Sequence, residues 1–312
     1  MDTRRLKAFI EVVDAGSITR AAKALHIAQP ALTLQVNELE RQFKSQLLVR
    51  SSRGVTMTPA GSRLYRHAQT ILRQIEMARE DVTQALDGIV HIGSVGGIEA
   101  VALVPLLKRA AADHPSIKIR LEAEMSGEIA NKVLSHYWDI GLDFGDQPVK
   151  GIRVEPVLVE KFYLATTQDG FALPPGGAET ALGQMPLLLP GLGIAHRKLI
   201  DQIFASKSLR PNIVAEINSL VGLTSAAAAG LGAAIVPAVA TITHGAGISN
   251  TMGLHFHEIP GFERTLSICT ADHALPTTAQ QVRDLLVDVL KGLVSSGAWP
   301  GTRLVGPTER RA

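Results

Sequence analysis

The chain has 312 residues, 46% of them hydrophobic, with 31 basic against 29 acidic side chains and a formal charge of +2. One cysteine excludes an intrachain disulfide and agrees with a reducing cytoplasm. The N-terminus lacks a secretory signal and no apolar run has membrane-spanning length, which argues for a cytoplasmic protein without a membrane partner and against a periplasmic solute-binding protein.

Thr3 to Ala15 reads as a helix with Leu6, Phe9, Ile10 and Val13 on one side, and Gly16 is placed to end it. Ser17 can cap a second helix, whose Ala21 and Ala22 are small enough for a close crossing. His26 to Gln29 form a turn, and Pro30 falls in the first turn of a third helix, where a missing N–H costs nothing. Ala21, Ala22, Leu25, Ile27, Leu32, Val36 and Leu39 recur at helical spacing and give the unit a common core.

A compact helical hairpin with a polar surface is the bland reading; a DNA-reading helix-turn-helix is the sharper one. In the latter, the N-terminal end of the second helix of the motif faces base edges, here Gln29, Pro30, Thr33 and Leu34. Gln29 suits adenine, Thr33 either base, and Pro30 or Leu34 a thymine methyl. SSRGVTMTPAG then reads as a turn and ribbon, in which Arg50 and Arg53 suit phosphate or minor-groove contact or are simply solvated. Residues 1–61 carry nine basic and five acidic side chains, a net of +4, so the remainder carries −2. The asymmetry has the sign that nucleic-acid binding requires.

Thr58 can cap a long helix with Pro59 in its first turn, running to about Leu86. Leu64, Ala68, Ile71, Ile75, Ala78, Val82 and Ala85 are spaced 4, 3, 4, 3, 4 and 3 apart, a mean of 3.5 and hence the coiled-coil period. A seam this narrow points to a partner helix and a homodimer; the alternative is one amphipathic helix lying on the C-terminal domain.

Asp87 and Gly88 form a hinge, beyond which strands alternate with helices. Strands are expected at 89–94, 117–124, 139–143, 162–166, 186–189, 213–217, 233–236 and 265–271, and helices at 98–113, 128–136, 195–206, 220–229 and 277–295. The alternation implies a parallel sheet covered by helices, in two lobes because about 200 residues exceed one small domain. The tail from Trp299, with Pro300, Gly301, Gly306 and Pro307, is expected to be mobile.

Ligands of such sheets bind beyond the carboxyl ends of the strands. Ser94, Gly96 and Gly97 follow the first strand, Ser126 and Gly127 the second, and Asn218 and Ser219 open a helix in the other lobe. Helix N-termini converging there would hold a small anion such as a carboxylate or sulfonate, although Gly and Ser are also ordinary turn residues. Phe144, Gly145, Gly193 and Val236 are further lining residues. Arg197 pairs with an anionic ligand in one reading and is a surface arginine at a helix start in the other.

Enzyme readings find no support. Gly93, Gly96 and Gly97 do not make a dinucleotide fingerprint, and no phosphate loop is present. His255 and His257 alternate on an expected strand without a Cys, Asp or Glu cluster, so neither metal nor cofactor is expected. Cys269 reads as an inert core residue.

AAKALHIAQPALTLQVNELERQF followed by LLVRSSRGVTMTPAG resembles the LysR-type transcriptional regulators from about Arg4 to Ala85. MSG at 125–127, HRKLID at 196–201 and EINSL at 216–220 are similar to the branch that contains the nitrogen assimilation control regulator. The resemblance implies a mixed fold: a winged helix-turn-helix over 1–58, a linker and dimerisation helix over 59–87, and an effector-binding domain over 88–298. That domain would have two α/β lobes like those of type 2 periplasmic binding proteins, lobe I being 88–160 and 265–298 and lobe II 161–264. Gln29, Pro30, Thr33 and Leu34 match recognition-helix positions, and Arg53 matches the arginine of the wing that enters the minor groove. Leu34 departs from a frequent arginine, Lys44 from a usual glycine and Leu48 from a frequent phenylalanine.

The expected function is a transcription regulator, activator or repressor, that binds pseudo-palindromic double-stranded DNA as a homodimer within a homotetramer and answers to an anionic effector. A small-molecule-binding or transferase protein, with the N-terminal unit as an interaction module, is the alternative from another class.

Overall fold

The computed structural model describes residues 2–51, 54–83, 88–124, 127–167, 173–175, 177–192, 195–243, 253–273 and 275–306. Two compact units divide the chain, Met1–Ala85 with Ser135–Tyr137 and Leu86–Leu134 with Trp138–Ala312.

The first unit comprises α1 (Thr3–Ala15), α2 (Ile18–Ala24), α3 (Gln29–Phe43), the antiparallel ribbon β1 (Leu48–Ser51) and β2 (Gly54–Met57), and the long helix α4 (Pro59–Thr83). Gly16 ends α1 in the left-handed conformation at φ 60°, and the Ser17 hydroxyl accepts from Arg20 N to cap α2. Thr58 caps α4 by accepting from Gly61 N at 3.0 Å while its hydroxyl donates to Gln46 O at 2.7 Å. A Cβ on Gly61 would overlap the Leu47 carbonyl, so only glycine lets the ribbon and α4 approach this closely. Lys44, in the usual place of a glycine, takes the left-handed conformation at φ 48°.

Leu6, Phe9, Ala21, Ala22, Leu32, Val36 and Leu39 form the expected core with Ile10, Val13 and Leu25 packed against it, and it also takes in Leu64 and Ala68 of α4. Ile27, expected in this core, is instead 37% exposed in the turn before α3. The expectation that the whole α4 seam faces an outside partner is therefore corrected for its first part. Its N-terminal half is core of this unit, with Ile71 packed at the edge, whereas Ile75 is 44% and Val82 83% exposed. Ala85 and Asp87 lie outside the described residues.

The second unit runs β3 (Gly88–Val95), α5 (Glu99–Asp113), β4 (Ile117–Glu124), α6 (Ile129–Leu134), β5 (Ile140–Phe144), β6 (Ile152–Thr167), α7 (Gly177–Gln184), β7 (Pro186–Leu189) and α8 (Ala195–Ser206). It continues through β8 (Asn212–Glu216), α9 (Leu220–Ala228), β9 (Ala233–Pro237), α10 (Val239–Thr243), β10 (Leu254–Ala271), α11 (Thr277–Ser295) and β11 (Thr302–Leu304). The strands follow the order β4-β3-β5-β10-β6-β9-β7-β8, with β11 beside β6.

The sheet is mixed rather than wholly parallel. Within lobe I, β3 pairs parallel with β4 and β5; within lobe II, β7 pairs parallel with β8 and β9. The crossing strands β6 and β10 run through both lobes in opposite senses and therefore pair antiparallel, from Leu254↔Thr167 to Ala271↔Ile152. Their register shifts between Glu258 and Glu263 and again between Leu266 and Ser267. Lobe II packs Phe162, Leu187, Ile200, Phe204 and Phe262 on one side of its sheet and Ala165, Leu188, Leu223 and Val236 on the other. With both faces covered, β9 is buried throughout, which is why it is small and apolar.

The tail corrects the expectation of mobility. Trp299 is buried, Lys161 N donates to Gly301 O at 2.9 Å, and Thr302–Leu304 pair with Glu160, Val159 and Leu158 of β6. A proline- and glycine-rich composition obscured this, because the stability of the segment comes from non-local pairing. Residues 307–312 lie outside the described residues.

Candidate functional site

In the first unit Gln29 and Pro30 stand exposed at the start of α3, Thr33 is half-buried and Leu34 is 61% exposed. Thr19 Oγ1 donates to Gln29 Oε1 at 3.2 Å, holding the amide in place. Arg50, on β1, donates from Nη2 to Asn37 Oδ1 at 2.6 Å and lies 3.9 Å from Glu40, so the ribbon is tied to the middle of α3. Glu40 in turn accepts from Leu47 N and Leu48 N. The structure thus brings Gln29, Pro30, Thr33, Leu34 and Arg50 together on one unit, and Arg53 lies outside the described residues. The exposed start of α3 and the adjoining ribbon share one side of this unit through the Arg50–Asn37 bond.

In the second unit a cavity of about 630 Å³ opens against the crossing strands, a volume suited to a small molecule. Phe144 and Gly145, both expected, line it; so do His196, Glu263, Arg264 and Arg303, which were not expected. Arg264 lies 3.3 Å above the Phe144 ring and forms an ion pair with Glu160 at 2.7 Å. Burial pushes the Arg264 guanidinium down from its ordinary range, and Glu160 pushes it back up. His196 is held neutral, its pKa lowered to about 3 by burial and then by the Arg264 charge.

The unfolded chain takes up a proton on this imidazole below about pH 6.5 and the folded one does not, so the group lowers stability as pH falls. The expected loss is about 2 kcal/mol from pH 8 to pH 5. His196→Gln should flatten that acid limb in denaturant titrations, and parallel stability curves for wild type and variant would refute the assignment.

Other expected residues have local partners. Ser94 is buried and donates to the Val95 carbonyl at 3.1 Å, so it does not face the cavity. Arg197 is neither a surface residue nor poised for an anion: it is buried, with Nε on Asp201 at 2.9 Å and Nη1 on Glu216 at 2.8 Å and Pro190 O at 2.7 Å. One residue is about 100° on a helix, and that turn puts His196 rather than Arg197 toward the cavity. Asn218 accepts from Gly191 N at 2.7 Å, and Ser219 caps α9 by accepting from Gly222 N at 3.2 Å.

Gly96 and Gly127 are exposed, Val236 is fully buried, and Ser126 and Gly193 lie outside the described residues. Gly97 faces Val239 and Leu220, which brings the starts of α5, α9 and α10 together. The Gly97 N–H there already meets the Glu99 carboxylate at 3.0 Å. Burial pushes the Cys269 thiol up to about 12, as an inert core residue requires. Among the described residues no group of His, Cys, Asp and Glu could hold a metal ion, and no helix is long and apolar enough to cross a membrane.

Residues 3–62 match the bacterial regulatory helix-turn-helix protein, lysR family, and residues 83–291 match the LysR substrate binding domain. The chain is 39% identical over 302 residues to the nitrogen assimilation regulatory protein nac of Escherichia coli strain K12, covering 94% of this chain and 97% of that protein. It is 38% identical to the protein of the same name from Klebsiella aerogenes, over 93% of this chain and 95% of that one. Among solved structures, CbnR, a LysR family transcriptional regulator, has a TM-score of 0.69 at 21% identity, covering 93% of this chain and all of that one. Full-length CbnR complexed with its target DNA gives 0.68 at 21% identity, over 94% of this chain and 99% of that one.

Proposed function

The chain belongs to the LysR family of DNA-binding transcriptional regulators, and from that premise we propose that it reads a pseudo-palindromic promoter site as a cytoplasmic homodimer, two of which form a tetramer. A small anionic metabolite, in this reading, sets its activity from the α/β domain.

The observation that carries the assembly is the uncovered half of α4. Ile75, Ala78 and Val82 continue the heptad seam beyond the part consumed by the core of the first unit, and they stand open to solvent. Apolar side chains at this spacing are stabilised when a second copy of the helix covers them. Two recognition helices would then address two half-sites. Ile75→Asp is expected to convert the dimer to monomer in sedimentation velocity and to weaken operator binding by about 100-fold or more, since a half-site alone retains one set of contacts. A dimer that survives the substitution would remove the linker-helix pairing.

Support for an effector comes from the volume of the cavity and its lining of Phe144, Gly145, His196, Arg264 and Arg303, the two guanidinium groups being paired with Glu160 and Glu263. A ligand that binds one arrangement of the two lobes more tightly than the other would shift the population of assemblies, and with it the spacing of the DNA-reading pairs. A mobility-shift titration at several salt concentrations, using the DNA upstream of its own gene, tests the reading as a whole. Sequence-specific binding that weakens steeply with salt is expected, and its absence would sink the proposal.

A further inference from the structure

We propose that Leu34 makes target recognition depend on a thymine methyl group, with Ile27 and Pro30 completing the apolar surface that covers it. The inference rests on the DNA-reading role of α3 and names what that helix reads.

At about 100° per residue, Pro30 and Leu34 lie on the side of α3 opposite its buried stripe of Leu32, Val36 and Leu39. Leu34 is 61% exposed, and Ile27, in the turn that leads into α3, is 37% exposed. Pro30 is exposed between them in sequence. The leading half of the outward stripe is therefore apolar. Further along it the stripe becomes polar: Asn37 accepts from Arg50 through its Oδ1, and Arg41 pairs with Glu38. Gln29 has its Oε1 on Thr19, which leaves its Nε2 as a donor toward a base.

A helix entering the major groove with this edge brings few charged donors to guanine. What it brings is an apolar surface, and the 5-methyl of thymine is the apolar group on the major-groove edge of the standard base pairs. Cytosine and uracil both lack it. Covering one methyl with leucine is worth about fourfold in affinity. No internal bond of the unit uses the Leu34 side chain, so shortening it removes the contact without removing core.

The test begins with a duplex enriched from a randomised library by the full-length protein. Each thymine is then replaced in turn by uracil, which deletes the methyl and keeps the pairing. Wild type should lose about fourfold at one thymine of each half-site. Leu34→Ala should lose most of the difference between the thymine and uracil versions of that duplex, with an unchanged circular dichroism spectrum. Equal binding of every uracil duplex by wild type would overturn the proposal, as would a uracil penalty that persists undiminished in Leu34→Ala. A change in oligomeric state in Leu34→Ala without any loss of methyl sensitivity would assign the patch to a protein contact instead and likewise overturn it. If the library yields no enriched sequence, the DNA-reading role itself falls; enrichment without Leu34-dependent methyl sensitivity removes only this proposal.

Discussion

Glu160→Ala is expected to cost the α/β domain about 3–5 kcal/mol, enough to put much of its stability at risk. Glu160 is fully buried on β6. Its Oε1 accepts from Val239 N at 2.8 Å and from Trp299 Nε1 at 3.3 Å, and its Oε2 accepts from Arg264 Nε at 2.8 Å. One carboxylate thus joins both crossing strands, the start of α10 and the C-terminal segment. Alanine would strand the buried Arg264 cation and remove the acceptor of two further N–H groups. Because the damage comes chiefly from the orphaned charge, adding Arg264→Met should restore part of the loss. The chain has two tryptophans, Trp138 and Trp299, both in this unit, so fluorescence-detected urea unfolding reports it selectively. A double variant less stable than Glu160→Ala alone would contradict this account of the pair.

Truncation after Ala298 is expected to have an effect of similar size, again about 3–5 kcal/mol. It removes Trp299, 1% exposed, the buried Val305 and the strand β11. It also unpairs Lys161 N from Gly301 O and Val305 N from Val157 O. Trp138 fluorescence in urea would follow the loss, and a midpoint equal to that of the full chain would show the segment to be dispensable. The two losses should not add, because Trp299 and Glu160 bond to each other.

Local chemistry made most elements legible. Strands β4 and β7 and helices α1, α8 and α11 fall where periodicity put them, because each carries its apolar pattern and its ends within a single stretch. The first half of β6 was not foreseen, and β10 was read as a strand around His255 and His257 and another over 265–271 rather than as one continuous strand. Pro156 interrupts the pattern of one; Pro260 and Gly261 interrupt that of the other at its register shift. Such strands are specified by each other across about a hundred positions of sequence, and no local window contains that information. Helices α7 and α10 are short, and their few apolar residues gain meaning only from the sheet they cover.

The site divides along the same line. That Gln29, Pro30 and Leu34 stand exposed on α3 could be read from the sequence because a helix-turn-helix is built from neighbours, and the spacing of its core residues fixes which side chains face outward. In the α/β domain the residues chosen for turn chemistry, Ser94, Arg197, Asn218 and Ser219, proved to satisfy their own backbone and lobe. Arg264 and His196 come from distant segments and meet only after the chain has crossed between lobes twice.

By itself, then, the sequence determined a helix-turn-helix unit, a long helix with a heptad seam and an α/β domain behind them, since each depends on short-range periodicity and capping. Only the tertiary structure decided how much of the α4 seam is left for a partner, which charges face the cavity and that the tail is part of the sheet. Those are questions of burial, and whether a side chain is buried depends on what the rest of the chain brings against it.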